Sequence, residues 1–219
     1  MHRQLTLGLA ATEPRDARIL IDDQAALLTG FALENQSETL QEIERVIAQA
    51  PFRNMLTPGG RRMSVAMTNC GSLGWVTDKR GYRYQSTDPL TEKPWPSLPT
   101  SLLKLATRAA AETGFEHFMP DACLVNQYSP GAQMTLHQDK DERDFNWPVV
   151  SLSLGLPATF LFGGDERSDK AKRFPLEHGD VVVWGGKSRL KFHGILPLKD
   201  GEHPLLGRRR INLTFRMAA

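Results

Sequence analysis

Hydrophobic positions recur at two different periods along the 219 residues, and the change between them divides the chain. In "SETLQEIERVIAQAP" (37–51), Leu40, Ile43, Ile47 and Ala50 fall at helical spacing, which predicts a helix stopped by Pro51. "PTSLLKLATRAAAETG" (99–114), rich in Ala and Leu and closed by Gly114, predicts a second helix. From residue 122 onward the period drops to two. The runs "ACLVNQY", "VVSLSLG", "ATFLF", "DVVVW", "LKFHGIL" and "RINLTFR", parted by Gly and Pro, read as strands. Two helices followed by six short strands predict an α+β fold in which the helices brace one sheet of a β-sandwich, with the jelly roll as the leading form. The first fifteen residues are polar and unpatterned, which predicts a frayed tail. Residues 1–30 are read as a lead-in to a single domain over 31–219, with its strand-rich core at about 122–217.

Composition narrows the setting. Forty per cent hydrophobic and 24% charged residues describe a soluble domain, and no run approaches the ~18 apolar residues of a membrane span. The start of the chain lacks a sustained apolar core, and Glu13 and Asp16 argue against a transit peptide, so a cytoplasmic protein is expected. Cys70 and Cys123 lie far apart in sequence and form no CxxC pair, which fits reduced thiols better than a disulfide or thiolate zinc site. A net charge of +2 is too small to hold nucleic acid by field alone. Any polyanion must be met by a local patch.

One such patch stands between the helices and the strands. Residues 52–85 interleave Arg61, Arg62, Lys79, Arg80 and Arg83 with Trp75, Tyr82 and Tyr84 among Gly turns. Cations suit phosphates and flat rings suit unpaired bases, where stacking contributes ~1–3 kcal/mol per base. A solvated hairpin with half-buried aromatics explains the same residues equally well.

Candidate chemistry centres on "TLHQDKD" (135–141). On a strand Thr135, His137 and Asp139 would share a face, bringing an imidazole and a carboxylate together. A metal grip, an acid/base pair and a polar turn all fit this fragment alone. A catalytic metal needs a third ligand, and among six histidines His193 in "LKFHGIL" is the best placed, on a separate strand-like run. His178 competes, but it precedes a Gly-Asp turn, where a capping role is the better reading. Two His and one carboxylate leave positions open, as in non-haem Fe(II) oxygenases, although some zinc hydrolases use a similar set.

The last strand adds a constraint. Period two places Arg210, Asn212, Thr214 and Arg216 on one face of "RINLTFR" and Ile211, Leu213 and Phe215 on the other. Inward arginines are costly unless an anion partners them, and a solvated face is the bland alternative. That alternative weakens because "LVNQY" also sets Asn126 and Tyr128 on one face, where a sandwich core would hold aliphatics. A dicarboxylate would satisfy these donors together, since Arg grips a carboxylate bidentately.

With these residues in hand, the chain resembles the AlkB family of Fe(II)/2-oxoglutarate dioxygenases, which repair alkylated nucleic acid. The likeness runs over about residues 50–217, through "NMLTPGG", "MSVAMTNCGSLGW", "PDACLVNQYSPGA", "LHQDKDE", "SRL", "FHGILPL" and "NLTFR". It implies a double-stranded β-helix with a nucleotide-recognition lid at about 52–86. It further implies that His137, Asp139 and His193 hold Fe(II), and that Asn126, Tyr128, Arg210, Asn212 and Arg216 hold 2-oxoglutarate. In that reading Arg210 takes the C1 side of the cosubstrate and Arg216 its distal carboxylate. Trp75 and Tyr82 meet the target nucleotide, the base lying between Trp75 and His137. Asp141 meets its exocyclic amino group, while Met67 and Arg167 line the approach.

The implied reaction uses O2 and 2-oxoglutarate to remove N-methyl groups, of the 1-methyladenine and 3-methylcytosine type, as formaldehyde. DNA is the expected partner, single strands preferred and RNA a further substrate, for a monomer. Two rival readings are a hydroxylase of a protein or small molecule and a noncatalytic cupin-like binder. Trp75 with the basic lid argues against the first, and the paired arginines argue against the second.

Overall fold

The structure is a computed structural model that describes residues 17–219; the expected frayed tail lies outside the described residues. Thirteen strands and two α-helices are seen among the described residues. The six strands expected from period two are present as β6 (Ala122–Tyr128), β8 (Val149–Gly155), β9 (Ala158–Phe162), β11 (Val181–Trp184), β12 (His193–Ile195) and β13 (Arg210–Arg216). The two helices are α1 (Gln36–Gln49) and α2 (Thr100–Glu112). Further strands are β1 (Ala17–Asp22), β2 (Ala25–Thr29), β3 (Ala66–Gly71), β4 (Gly74–Asp78), β5 (Gly81–Gln85), β7 (Met134–His137) and β10 (Lys172–Leu176).

They assemble into a seven-stranded sheet of order β1-β2-β11-β8-β13-β6-β3, a four-stranded sheet of order β10-β9-β12-β7, and a separate β4-β5 hairpin. This is the jelly-roll architecture, a double-stranded β-helix. Alternation along β13 divides the interior in two. Ile211, Leu213 and Phe215 enter one apolar cluster with Ile43 and Val46 of α1 and Leu102, Leu105 and Ala106 of α2. The small side chains of α2 let its backbone approach the sheet closely, and the helices thereby seal the outer face of the long sheet. The opposite face, with Leu124 and Tyr128 of β6, looks toward the short sheet, where Phe160, Phe162 and Ile195 complete a second cluster.

Three boundaries differ from expectation. Residues 17–29 are not a lead-in: β2 is buried along its whole length and pairs with β11, extending the long sheet. Its "AALLT" is apolar on both faces, so it shows no alternation to be read. Within the stretch expected to form the lid, β3 pairs with β6 as an edge of the same sheet, leaving the hairpin β4-β5 as the projecting part. Finally, β7 ends at His137, so Asp139 and Asp141 lie on the following loop rather than on one strand face. The side chains still converge, by a turn of the loop rather than by pleating.

His178 has a structural role, as its turn context implied. Its Nδ1 accepts the Gly155 N–H at 2.9 Å, and Nε2 lies 3.1 Å from Gln36 Oε1, which fixes the neutral, Nε2–H tautomer. Burial, aided by the neighbouring His203 ring stacked at 4.5 Å, lowers its pKa to about 4. An unfolded chain, with a histidine pKa of about 6.5, therefore binds the proton first as pH falls. Stability from this contact is fully present above about pH 6.5 and is lost as pH falls toward 4, by on the order of 1 kcal/mol for a half-buried ring. Melting curves at pH 7 and 5 should show the loss, and His178→Gln, which accepts the same N–H without titrating, should flatten it. A profile equally steep in that variant would refute the assignment.

Candidate metal centre and cosubstrate pocket

His137 and His193 are direct cross-strand partners on β7 and β12. The strands come close because Gly194 separates His193 from Ile195: a Cβ there would stand 2.6 Å from the Met134 carbonyl oxygen. Each imidazole is oriented by the same device. Nδ1 of His137 lies 2.9 Å from the Thr135 carbonyl, and Nδ1 of His193 lies 3.0 Å from that of Lys191. With Nδ1–H donating, both Nε2 lone pairs are left for another partner. Each Nε2 stands 3.7 Å from one oxygen of the Asp139 carboxylate.

These three residues are the one cluster of metal-ligating type among the described residues, with donor atoms all within 4.8 Å of one another. Burial, reinforced by the adjacent His137, lowers the His193 pKa to about 3, so this imidazole is neutral and ready to ligate at neutral pH. Burial alone would raise Asp139, but the Arg216 guanidinium bonded to it outweighs that and holds the carboxylate ionised, well below its usual range. Two imidazoles and a carboxylate on one side of an open cavity fit Fe(II) and leave positions for exchangeable ligands.

Behind the triad, β13 and β6 supply the polar wall. Arg210 pairs across strands with Tyr128, and Asn212 with Asn126. Arg210 is 1% exposed and Arg216 6%, so the solvated-face reading of this strand does not hold. Arg216 donates through Nη2 to Asp139 Oδ2 at 2.7 Å and through Nε at 3.1 Å. Arg210 donates to Ser153 Oγ at 2.8 Å and lies over the Tyr128 ring at 4.9 Å, but its Nε and Nη1 are buried with no protein partner. Asn126 donates to Asn212, while its own carbonyl oxygen is also unpartnered. Unsatisfied buried donors beside a cavity fit a carboxylate that arrives with the ligand.

The two arginines differ in their surroundings: Arg216 bonds the Asp139 carboxylate, whereas Arg210 keeps buried donors with no protein partner. Period two put both on one face but could not tell which lies nearer a loop residue.

The hairpin closes the remaining side. Trp75 Nε1 donates to Asp141 Oδ2 at 2.7 Å, and Trp75 stacks on Tyr82 with ring centroids 5.5 Å apart. Arg167 lies over Phe192 at 5.3 Å, and Met67 is fully buried on β3. All thirteen residues singled out from the sequence line a single cavity of about 450 Å³. Glu142 and Arg189 were quoted within motifs but given no role, and Tyr84 was read only as one ring of the aromatic patch. Tyr84 Oη donates to Glu142 at 2.6 Å, and Glu142 is 7% exposed. A charged residue directly after an HxDxD pattern is a clue only once the loop is known to turn inward.

A two-His, one-carboxylate centre backed by two buried arginines, on a jelly roll, defines a metal-dependent oxygenase type of site. The sequence matches the 2OG-Fe(II) oxygenase superfamily over residues 24–216. It is 58% identical over 195 residues to the alpha-ketoglutarate-dependent dioxygenase AlkB of Salmonella typhimurium, covering 89% of this chain and 90% of that protein. It is 34% identical over 185 residues to the DNA N(6)-methyladenine demethylase ALKBH1C of Arabidopsis thaliana, spanning 73% of this chain and 41% of that protein. The solved structure of OsALKBH1 superposes with a TM-score of 0.80 at 30% identity, over 92% of this chain and all of that one. The chain belongs to the AlkB family within the 2OG-Fe(II) oxygenase superfamily and is an Fe(II)/2-oxoglutarate-dependent dioxygenase.

Proposed function

We propose that the protein removes N-methyl groups from bases such as 1-methyladenine and 3-methylcytosine in DNA, with RNA as a secondary substrate. The observation that carries this reading is the shared cavity: the Trp75 ring on the hairpin and the imidazole of His137 border one space, with Asp141 at its side. A flat ring is what such walls accept.

In this reading His137, Asp139 and His193 hold Fe(II), Arg216 serves the metal end of 2-oxoglutarate, and Arg210 with Tyr128 receives its distal carboxylate. Asn126 and Asn212 complete that pocket. Bound iron and 2-oxoglutarate would supply, with O2, hydroxylation of the N-methyl carbon; the cosubstrate leaves as succinate and CO2, and the hydroxymethyl product collapses to formaldehyde and the repaired base, still attached to its strand. The chain itself binds, orients and excludes water. Trp184 and Phe160 set their rings 4.8 and 6.2 Å from that of His193, walling the metal side with apolar surface. Asp141, bonded to the indole N–H in the described state, is the acceptor that an exocyclic amino group would compete for.

A methylated base carries positive charge, which favours both the Trp75 face and the Asp141 carboxylate. The methyl group also blocks pairing, so extruding such a base costs less than extruding a normal one. Single strands should be the better substrate for the same reason. We place the enzyme, as a monomer, in the cytoplasm; two buried free thiols support the compartment. No helix among the described residues is long and apolar enough to cross a membrane.

Purified protein incubated with Fe(II), 2-oxoglutarate and a methylated single-stranded oligonucleotide should release formaldehyde in step with succinate. Succinate without demethylation would redirect the search to a protein or small-molecule substrate; neither product would leave a binder. Trp75→Ala should raise the KM for the oligonucleotide by roughly tenfold or more, the loss of about one to two stacking contacts, with a smaller change in kcat. An unchanged KM would remove Trp75 from the base pocket.

A further inference from the structure

Arg189 ends the short 3-10 turn Gly186–Ser188 that follows β11, and its side chain is buried. All three of its donor groups are used. Nε donates to the Trp147 carbonyl at 3.0 Å, Nη1 to the Asp139 carbonyl at 2.7 Å, and Nη2 to Glu142 Oε2 at 3.0 Å. The Phe145 ring lies 5.3 Å from the same guanidinium. Every partner belongs to residues 139–147, the irregular loop between β7 and β8. One side chain thus ties down the loop that carries a metal-type ligand, Asp139, and the base-facing carboxylate, Asp141.

The loop is also wired to the hairpin. Glu142 accepts the Tyr84 hydroxyl of β5 at 2.6 Å and lies 3.3 Å from Arg216 Nε, while Arg216 bonds Asp139 Oδ2. Two buried carboxylates, Asp139 and Glu142, are therefore balanced by two buried guanidiniums, Arg189 and Arg216. Such a set is stable only when complete, since a buried charge left unpaired is costly. Without Arg189 the two carboxylates would compete for Arg216, and the acceptor that receives Tyr84 would lose its anchor. The planar fork reaches three acceptors at once, a geometry that the single ammonium of lysine does not reproduce.

We propose that Arg189 is a positioning residue which, by clamping residues 139–147, keeps the seating of the hairpin tied to the Asp139 ligand and so keeps oxidation coupled to base occupancy. The proposal rests on the demethylase reading above. The test uses the full chain with Fe(II), 2-oxoglutarate and a methylated single-stranded oligonucleotide, comparing wild type with Arg189→Met, Arg189→Lys and Tyr84→Phe. The readouts are the succinate-to-formaldehyde ratio, KM against kcat, and Mn(II) affinity of the apoprotein by calorimetry.

Wild type should give a ratio near unity. Both Arg189 variants should raise it severalfold, raise the oligonucleotide KM, and weaken Mn(II) binding by roughly tenfold, as for loss of an outer contact to a metal ligand. Tyr84→Phe should raise the ratio while Mn(II) affinity stays at the wild-type value, because it cuts only the hairpin end. A wild-type ratio and Mn(II) affinity in Arg189→Lys, whether or not its melting temperature falls, would overturn the proposal. Should Arg189→Met fail to fold, Arg189→Lys and Tyr84→Phe decide it. If wild type itself yields no formaldehyde, the substrate reading fails, while the Mn(II) comparison still tests the clamp on Asp139.

Discussion

His137→Ala is expected to leave a folded protein whose turnover of 2-oxoglutarate is indistinguishable from that of metal-free wild type. His137 sits at the end of β7, partly exposed, so truncating it leaves no sealed cavity and the melting temperature should shift by about 1 kcal/mol or less in stability. The centre, however, would keep only Asp139 and His193. Loss of one of three protein donors removes both affinity and the fixed arrangement that leaves open positions together on one side. Calorimetry with Mn(II) and a succinate assay check the two consequences separately. His178→Ala provides the contrast: its ring is bonded to Gly155 and Gln36, away from the cavity, so turnover should persist although stability falls. Full activity in the His137 variant would sink the ligand assignment.

The two histidines behave differently for a reason that sequence could state in part. "LEHGDVVVW" shows His178 entering a Gly-Asp turn, and a turn histidine is placed to cap backbone donors. "LKFHGIL" shows His193 within an apolar strand, where an imidazole needs a partner. What no single-strand pattern could show is that His193 and His137 face each other across a ladder. Register is a property of two strands and the connection between them, and here an irregularity at Gly194 adjusts it locally.

The fold was legible where one face met a core and the other met polar chemistry. β13 is the clearest instance, since Ile211, Leu213 and Phe215 lie in the helix-side cluster while Arg210 and Arg216 face the cavity. β2 was illegible for the opposite reason: with both faces buried, "AALLT" carries no period. β10 was hidden by Pro175 and by its exposed Lys172 and Arg173, features tolerated because it is an edge strand. The loop 139–147 was the largest gap. Its Glu142 had no role in the sequence pattern, and the inward turn after β7, held by Arg189 and Arg216, buries it as part of the site.

Arg210→Met is expected to abolish the stabilisation that 2-oxoglutarate gives the wild-type protein, without lowering the melting temperature of the ligand-free form. Arg210 is a buried cation whose Nε and Nη1 have no protein partner; burial lowers its pKa, against the opposing pull of Tyr128. Its one side-chain hydrogen bond, to Ser153, and its contact with the Tyr128 ring offset only part of that desolvation. Methionine fills comparable volume with no charge to desolvate, so the ligand-free fold loses little or gains. The cosubstrate then loses a bidentate partner for one carboxylate in a site of low dielectric, and the KM for 2-oxoglutarate should rise by roughly 100-fold or more, about 3 kcal/mol. Mn(II) affinity should be unchanged, because Arg210 touches none of the three ligand side chains. Thermal shift with and without 2-oxoglutarate in the presence of Mn(II) separates these effects. A ligand-free protein destabilised as strongly as by loss of a core residue would mean that Arg210 serves the fold, and that its unpaired donors are not held in wait for a carboxylate.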